Sequence, residues 1–149
     1  MKRIGKKLEG VVYTKRPGAY AIIEHKEDNK VAIARANNDC FFLGGGIEEK
    51  ETPIEALKRE LLEEAGYTIK NVQLFDEVTS WADGGERGPL EVIATFYIAE
   101  FDQKVTDPIE KDHEILWVDA MEYKEKLYHE YQRYILGEYA KLKEKDTSY

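Results

Sequence analysis

Residues 45–67 constrain the fold of this chain more than any other segment, because they carry signals for both ends of a helix. Thr52 is suited to the N-cap, Pro53 to the first helical position, and Glu55 to the reciprocal hydrogen bond of a capping box. Gly66 is placed to be the residue that ends the helix. The segment therefore predicts one helix between Thr52 and Gly66.

Within this helix, three glutamates are expected to converge beside an apolar stripe that faces the core. In projection, Glu60 and Glu64 lie next to the stripe, and Glu63 lies further round toward solvent. Like charges at i, i+3 and i+4 repel each other, so a chain that keeps them together is expected to bind a cation. The apolar stripe consists of Ile54, Leu57, Leu61 and Ala65.

The composition indicates an acidic globular protein. At 149 residues the chain has the size of one ordinary domain, so we expect a single domain over residues 1–149. A formal net charge of -8 argues against binding to DNA or RNA polymers, which requires clustered Lys and Arg. Cys40 is the only cysteine, which excludes an internal disulfide and predicts a reducing, cytoplasmic compartment. No apolar stretch has the length of a membrane span, so no membrane partner is expected.

The residues before the helix predict short strands. Residues 10–13 and 19–24 are rich in strand formers and are separated by Arg16, Pro17 and Gly18, which favours a turn. Residues 30–34 follow an Asp-Asn turn, so residues 19–34 are expected to form a hairpin. A last short strand is predicted at residues 41–43, ahead of three glycines.

The residues after the helix predict a long hairpin and a closing helix. Residues 71–79 and 90–101 are rich in strand formers and flank a turn-rich loop at residues 80–89. Residues 116–118 are expected to add a short strand, and residues 128–144 a C-terminal helix. That helix should bury one face, made of Tyr131, Tyr134, Ile135, Tyr139 and Leu142.

The spacing of fixed residues in 45–67 resembles the signature of the Nudix hydrolases, Gly-x5-Glu-x7-Arg-Glu-U-x-Glu-Glu-x-Gly-U, where U is bulky and apolar. Gly45 is followed after five residues by Glu51, and after seven more by the run Arg-Glu-Leu-Leu-Glu-Glu-Ala-Gly-Tyr. Every fixed position matches. The chain departs from common family habits at Leu43, Lys50 and the final Tyr67, none of which supplies a metal ligand.

The resemblance implies a fold and an activity. The fold would be the MutT-like α/β/α sandwich, in which a mixed β-sheet lies between helices, and homodimers are frequent in this family. The activity would be Mg²⁺-dependent hydrolysis of a diphosphate linkage in a nucleoside diphosphate derivative, with Mn²⁺ able to substitute. A nucleotide triphosphate, a nucleotide sugar and a dinucleoside polyphosphate are all open as the small-molecule substrate. The alternative is a non-catalytic nucleotide-sensing domain.

The resemblance also assigns roles to residues. Glu60, Glu63 and Glu64 would ligate the metal, with Glu60 acting either as a ligand or as the base that deprotonates water. Arg59 would belong to the catalytic machinery and, with Glu51, form a salt bridge that braces the loop against the helix. The remaining metal ligand would be the backbone carbonyl of Gly44.

Further candidates lie outside the core of the motif. Glu48, Glu110 and Glu114 are candidates for an additional metal ligand, although Glu48 is equally expected on the surface. Trp81, placed in the predicted loop, is a weak candidate for stacking on a nucleobase, and a structural anchor is the alternative. The three histidines lie singly, show no zinc spacing, and receive no chemical role.

Overall fold

The structure is a computed structural model, which describes residues 1–109 and 112–146. Within these ranges the chain forms eight strands, three α-helices and one 3-10 turn at Gly85–Arg87. The elements are β1 (Lys2–Ile4), β2 (Thr14–Ile23), β3 (Lys30–Ala36), β4 (Asp39–Phe41), β5 (Leu43–Gly46), α1 (Pro53–Ala65), β6 (Tyr67–Ala82), β7 (Leu90–Lys104), β8 (Glu114–Asp119), α2 (Ala120–Tyr123) and α3 (Glu130–Asp146).

The strands form two sheets. The larger has the order β1-β6-β7-β2-β5 and is mixed, because β1 pairs with β6 and β2 with β7 in parallel, while the β6–β7 and β2–β5 pairs are antiparallel. The smaller sheet is antiparallel, with the order β4-β3-β8.

A separate apolar cluster lies on each face of the large sheet, because successive side chains of β2 point in opposite directions. Ala21 packs in one cluster with Leu57 and Leu61 of α1. Ile22, the next residue, packs in the other cluster with Ile135 of α3. The sheet is therefore enclosed between α1 and α3, which confirms the expected α/β sandwich with a mixed sheet.

The predicted hairpin over residues 19–34 is confirmed only next to its turn, where Glu24 and Val31 form one antiparallel bridge and the N–H of His25 donates to the carbonyl of Lys30 at 3.0 Å. Residues 10–13 form no strand, and Arg16, Pro17 and Gly18 lie inside the continuous strand β2 instead of forming a turn. β2 pairs with β7 and β5, whereas β3 belongs to the other sheet. Pro17 is accommodated in β2 because the pairing with β5 starts only at Gly18. The carbonyl of Pro17 accepts from the N–H of Ile47 at 3.0 Å, and this hydrogen bond requires no N–H on the proline. The long parallel pairing with β7 thus overrides the local turn signal.

The second predicted hairpin is confirmed and is longer than expected. β6 starts directly after Gly66, and β6 and β7 pair from Tyr67↔Lys104 to Ala82↔Leu90. Trp81 consequently lies in β6, opposite Glu91, so its predicted position in the loop is wrong. The cause is the strand pairing itself, which continues to Ala82 before the chain turns.

The two long helices are confirmed with small corrections. α1 begins and ends where the caps predict, but Ile54 is 39% exposed because it lies in the first turn, outside the apolar cluster that holds Leu57 and Leu61. α3 begins at Glu130, two residues later than predicted, and its last predicted core residue, Leu142, is 44% exposed. Neither helix in the described ranges, nor the short α2, has the length and apolar character required to cross a membrane.

Candidate active site

The ends of α1 are fixed by its own side chains and backbone. The N–H of Glu55 donates to Thr52 Oγ1 at 3.2 Å, and the N–H of Thr52 donates to Glu55 Oε1 at 2.9 Å. At the other end, Gly66 has φ +75° and its N–H donates to the carbonyl of Leu62 at 2.9 Å. The carboxylates of α1 are therefore carried on a helix with little freedom to fray.

Two glycines in β5 allow the carboxylates of α1 to approach the backbone closely. A Cβ on Gly44, where φ is +133°, would lie 2.3 Å from the carbonyl oxygen of Ala19. A Cβ on Gly45 would lie 2.7 Å from Glu60 Oε1. The N–H of Gly44 donates to Glu64 Oε1 at 2.8 Å, so this carboxylate is held against the strand. The predicted role of the Gly44 carbonyl as a metal ligand stays a prediction.

Arg59 connects the loop before α1 with the acidic face of the helix. Its Nε and Nη2 donate to the two oxygens of Glu51 at 2.7 and 2.9 Å, and Nη2 also donates to the carbonyl of Gly46 at 3.1 Å. Nη1 donates to Glu60 Oε1 at 3.1 Å and lies 3.7 Å from Glu63 Oε2. The ion pair that the family resemblance implies between Arg59 and Glu51 is therefore present, with bidentate geometry.

The ion pair changes the acidity of both partners. Hydrogen bonds from Arg59, and then from the backbone N–H of Glu48, lower the pKa of Glu51 to about 2. The pKa of Arg59 is raised, chiefly by the hydrogen bonds to Glu51. Both groups are fully charged at neutral pH, so the brace is a permanent ion pair.

The three glutamates of α1 differ in exposure as the helical phase predicts. The side chains of Glu64 and Glu60 are 10% and 16% exposed, while that of Glu63 is 34% exposed. Within residues 1–109 and 112–146, no three Asp, Glu, His or Cys side chains are already arranged to hold one metal ion. The guanidinium of Arg59 lies against Glu60 and Glu63 instead.

The chemistry of the donors nevertheless fits a hard divalent cation. Three carboxylates lie on one rigid helix, and hard cations prefer oxygen ligands of this kind. Gly45 leaves the space beside Glu60 that any larger residue would fill. Modest movement of Glu60 and Glu63 away from Arg59 would expose a pair of carboxylates beside Glu64.

The additional candidates fall in different places. Glu48 lies 3.7 Å from Arg59 and is 69% exposed. Glu114 forms an ion pair with Arg35, between β8 and β3 of the smaller sheet. Glu110 lies outside the described residues.

His113 is a site residue that sequence reasoning missed. Its Nε2 lies 4.0 Å from Glu64 Oε2, and its side chain is 12% exposed. On the same helix, the carbonyl of Glu63 accepts from the N–H of Ile109 at 2.9 Å. A single histidine far along the chain carries no sequence signal for such a contact.

Trp81 is engaged by its own neighbours. Its indole N–H donates to Glu91 Oε1 at 3.0 Å, and the guanidinium of Arg3 lies over its ring at 4.8 Å from the centroid. A cation over an aromatic face is a stabilising contact within the fold. Stacking of Trp81 on a nucleobase stays a prediction, and the observed contacts are those of an anchor between β1 and β6.

A cavity of about 510 Å³, which the sequence did not predict, adjoins the glycines of β5. Tyr20, on its wall, pairs with Gly44 in the sheet, and Arg16 Nη2 lies 3.2 Å from the position a Cβ on Gly46 would take. We call this space the aromatic cavity. The residues lining it that bear rings or charges are Arg16, Tyr20, Asp83, Arg87, Tyr128, His129 and Tyr131.

Comparison with known proteins identifies the family of the chain. Residues 14–138 match the profile of the NUDIX domain. A GDP-mannose pyrophosphatase of Yersinia enterocolitica is 33% identical over 128 residues, which is 76% of this chain and 64% of that protein. The chain thus spans just under two thirds of the length of this relative, and about half the length of the next ones.

Solved structures share the fold. A NUDIX hydrolase from Nitrosomonas europaea superposes with a TM-score of 0.70 at 16% identity, over 85% of this chain and 88% of that one. The MutT NUDIX hydrolase of Burkholderia pseudomallei superposes with a TM-score of 0.65 at 21% identity, over 83% and 97%. The domain profile covers most of the chain, including the glycines of β5 and the helix α1, so the chain belongs to the NUDIX domain family.

Proposed function

We propose that this protein hydrolyses a diphosphate linkage in a nucleoside diphosphate derivative, using Mg²⁺ held by the carboxylates of α1. The observation that carries the proposal is the placement of Glu64 and Glu60. Both are largely buried acids, and both lie against the glycines of β5, where a phosphate chain could approach the backbone. The carboxylates of Glu60 and Glu63 share one guanidinium, that of Arg59, and a bound divalent cation would offset the excess of negative charge.

Each charged residue of the site has its own proposed role. Glu64, Glu60 and Glu63 would hold the metal, and Glu64 is oriented for this by the N–H of Gly44. Arg59, fixed by Glu51, holds the loop onto the helix and balances part of the acidic charge. A bound divalent ion supplies neutralisation of the phosphoryl oxygens and activation of a water. Glu60 is the second ligand or the base that accepts the proton of that water.

Nucleotide sugars are the substrates we favour within this class. The support is the Yersinia enterocolitica relative, whose name is that of a pyrophosphatase of GDP-mannose. With a net charge of -8 on the chain, a metal at α1 would offset the charge of the diphosphate beside the acidic face of this helix. Residence in the cytoplasm, substitution by Mn²⁺ and assembly as a homodimer stay predictions of the sequence.

The proposal is tested by product analysis with the purified protein. Sugar nucleotides of guanosine, adenosine and uridine, nucleoside triphosphates and dinucleoside polyphosphates are each incubated with Mg²⁺, with Mn²⁺ and with EDTA. We expect a nucleoside monophosphate and a sugar phosphate from at least one sugar nucleotide, with no product in EDTA. Reaction in ¹⁸O-labelled water identifies the phosphorus that is attacked. Binding without turnover of any of these compounds would favour the nucleotide-sensing alternative.

A further inference from the structure

One wall of the aromatic cavity is suited to a flat ring. His129 and Tyr131 stack at 5.2 Å between centroids with 23° between their planes, and Tyr128 meets His129 edge-on at 5.0 Å. Tyr128 is 58% exposed although it contacts this cluster, so much of its ring remains accessible at the rim. Accessible aromatic faces around a cavity are a common support for nucleobases.

The lining of the aromatic cavity also includes a short loop that carries one carboxylate, Asp83, and one guanidinium, Arg87. Asp83 Oδ1 accepts from the N–H of Gly85 at 3.2 Å, and the N–H of Arg87 donates to the carbonyl of Gly84 at 3.0 Å. Gly84 has φ +71°, and a Cβ there would lie 1.9 Å from the carbonyl oxygen of Gly88. The loop is therefore tightly turned, and it presents a carboxylate and a guanidinium four residues apart to the same cavity.

Two arginines, Arg16 and Arg87, line the aromatic cavity. In the part of the chain that the structure describes, neither Arg16 nor Arg87 forms a side-chain hydrogen bond or an ion pair, unlike Arg35, Arg59 and Arg133. Arg16 lies beside Gly46 at the end nearer to α1. An anionic group that extends from the cavity toward the carboxylates of α1 would pass Arg16.

We propose that the aromatic cavity binds guanine, with Asp83 accepting from its N1–H and exocyclic amine and Arg87 donating to its O6 and N7. This inference rests on the proposed function and narrows its substrate class to guanosine diphosphate derivatives. Guanine alone among the bases has two adjacent donors that match a carboxylate and two adjacent acceptors that match a guanidinium. Adenine offers one donor position beside N7, and the pyrimidines offer no such donor pair. Arg16 then contacts the phosphate attached to the guanosine.

The experiment measures binding separately from turnover. GMP and AMP are titrated by calorimetry into the full chain in EDTA, for the parent protein, Asp83→Asn, and Glu86→Gln. Glu86 is the matched control, since it is an exposed acid of the same loop that does not line the cavity. Asparagine keeps the oxygen that caps Gly85 but replaces the second acceptor with a donor.

We expect GMP to bind roughly tenfold or more tightly than AMP, since one bidentate pair discriminates by at least that order. Asp83→Asn should bring GMP binding down to the level of AMP, and Glu86→Gln should leave both unchanged. GMP binding that is no tighter than AMP binding, or absent at millimolar concentration, would overturn the inference. So would an Asp83→Asn variant that retains the preference for GMP.

Failure of this inference and failure of the proposed function give different results. Equal hydrolysis of adenosine and guanosine sugar nucleotides would leave the diphosphatase intact and remove the guanine site. Selective GMP binding without hydrolysis of any substrate would retain the guanine site and contradict the diphosphatase activity.

Discussion

At the scale of single residues, Arg59 is the group on which the site depends most. It makes the bidentate pair with Glu51, donates to the carbonyl of Gly46, and contacts Glu60 and Glu63. One guanidinium thus joins the loop, the glycine strand and the acidic face of α1. Lysine cannot reproduce these contacts, because it presents a point charge and no planar fork.

Arg59→Lys is therefore expected to lower both stability and activity. The loss of charge-assisted hydrogen bonds should reduce the free energy of unfolding by about 1–2 kcal/mol. The rate constant kcat should fall roughly tenfold or more, since the loop would no longer be held against the helix. Urea unfolding and steady-state kinetics provide the measurements. Lys58→Ala is the control at the neighbouring exposed position, and an equal loss there would contradict the role of Arg59.

The lowered pKa of Glu51 predicts how stability depends on pH. The pKa is about 2 in the folded protein, below the ordinary value of 4.5, so folding favours the charged form. The stabilisation is fully present above pH 4.5 and is lost as the pH falls through about 2. The difference in unfolding free energy between the parent and Glu51→Gln should accordingly shrink over this range. Protonation of His129, whose pKa is lowered chiefly by burial and then by Arg133, lowers the stability of the parent and of Glu51→Gln equally. It therefore does not affect the difference between them. A difference that does not vary with pH would contradict the brace.

At the scale of elements, the C-terminal end of α1 organises the chain around it. Gly66 ends the helix, and its carbonyl accepts from the N–H of Val105 at 2.9 Å. The carbonyl of Glu63 accepts from the N–H of Ile109, and Nε2 of His113 lies 4.0 Å from Glu64 Oε2. The end of α1 thus contacts residues that are distant in sequence.

Two glycine substitutions give opposite predictions. Gly66→Ala should destabilise the protein by ~1–3 kcal/mol, because φ is +75° and the new Cβ would lie 2.0 Å from the carbonyl oxygen of Thr106. Gly137→Ala should stabilise it by ~0.5–1 kcal/mol, because Gly137 lies inside α3 and nothing lies within 4 Å of its Cβ position. Thermal melting of both variants checks the pair. Destabilisation by Gly137→Ala would show that α3 is packed differently.

At the scale of the whole molecule, the sequence predicted the parts whose signals are local. The caps of α1, the phase of Glu60, Glu63 and Glu64, and the ion pair of Arg59 with Glu51 all lie within residues 45–67. The β6–β7 hairpin also followed from strand formers on either side of a turn-rich loop.

The features that the sequence missed are produced by contacts between distant segments. Pro17 and Gly18 are residues typical of a turn, but in the structure they lie in β2, which pairs in parallel with β7. No local sequence pattern encodes that pairing. The aromatic cavity likewise combines side chains from β2, the loop after β6 and the start of α3. His113 lies near Glu64 in space but far from it in sequence, so no local pattern predicts the contact.

Magnesium should stabilise the folded protein as a whole. A ligand that binds only the folded state raises the melting temperature by mass action, and millimolar Mg²⁺ should do so modestly in the absence of substrate. Differential scanning fluorimetry with MgCl₂ measures the shift, with KCl at equal ionic strength as the control. A shift that is equal in both salts would indicate general screening of the acidic surface instead of a metal site.

The most direct test of the central claim is the Mg²⁺-dependent hydrolysis rate of Glu64→Gln compared with that of Glu49→Gln. Glutamine can still accept from the N–H of Gly44, so the fold should persist, with a melting temperature within about 2 °C of the parent. With a substrate that the parent protein is found to hydrolyse, we predict that kcat/KM falls roughly a hundredfold or more in Glu64→Gln. It should stay unchanged in Glu49→Gln, whose glutamate is exposed. A folded Glu64→Gln variant that retains the parent rate would contradict the assignment of α1 as the catalytic metal site.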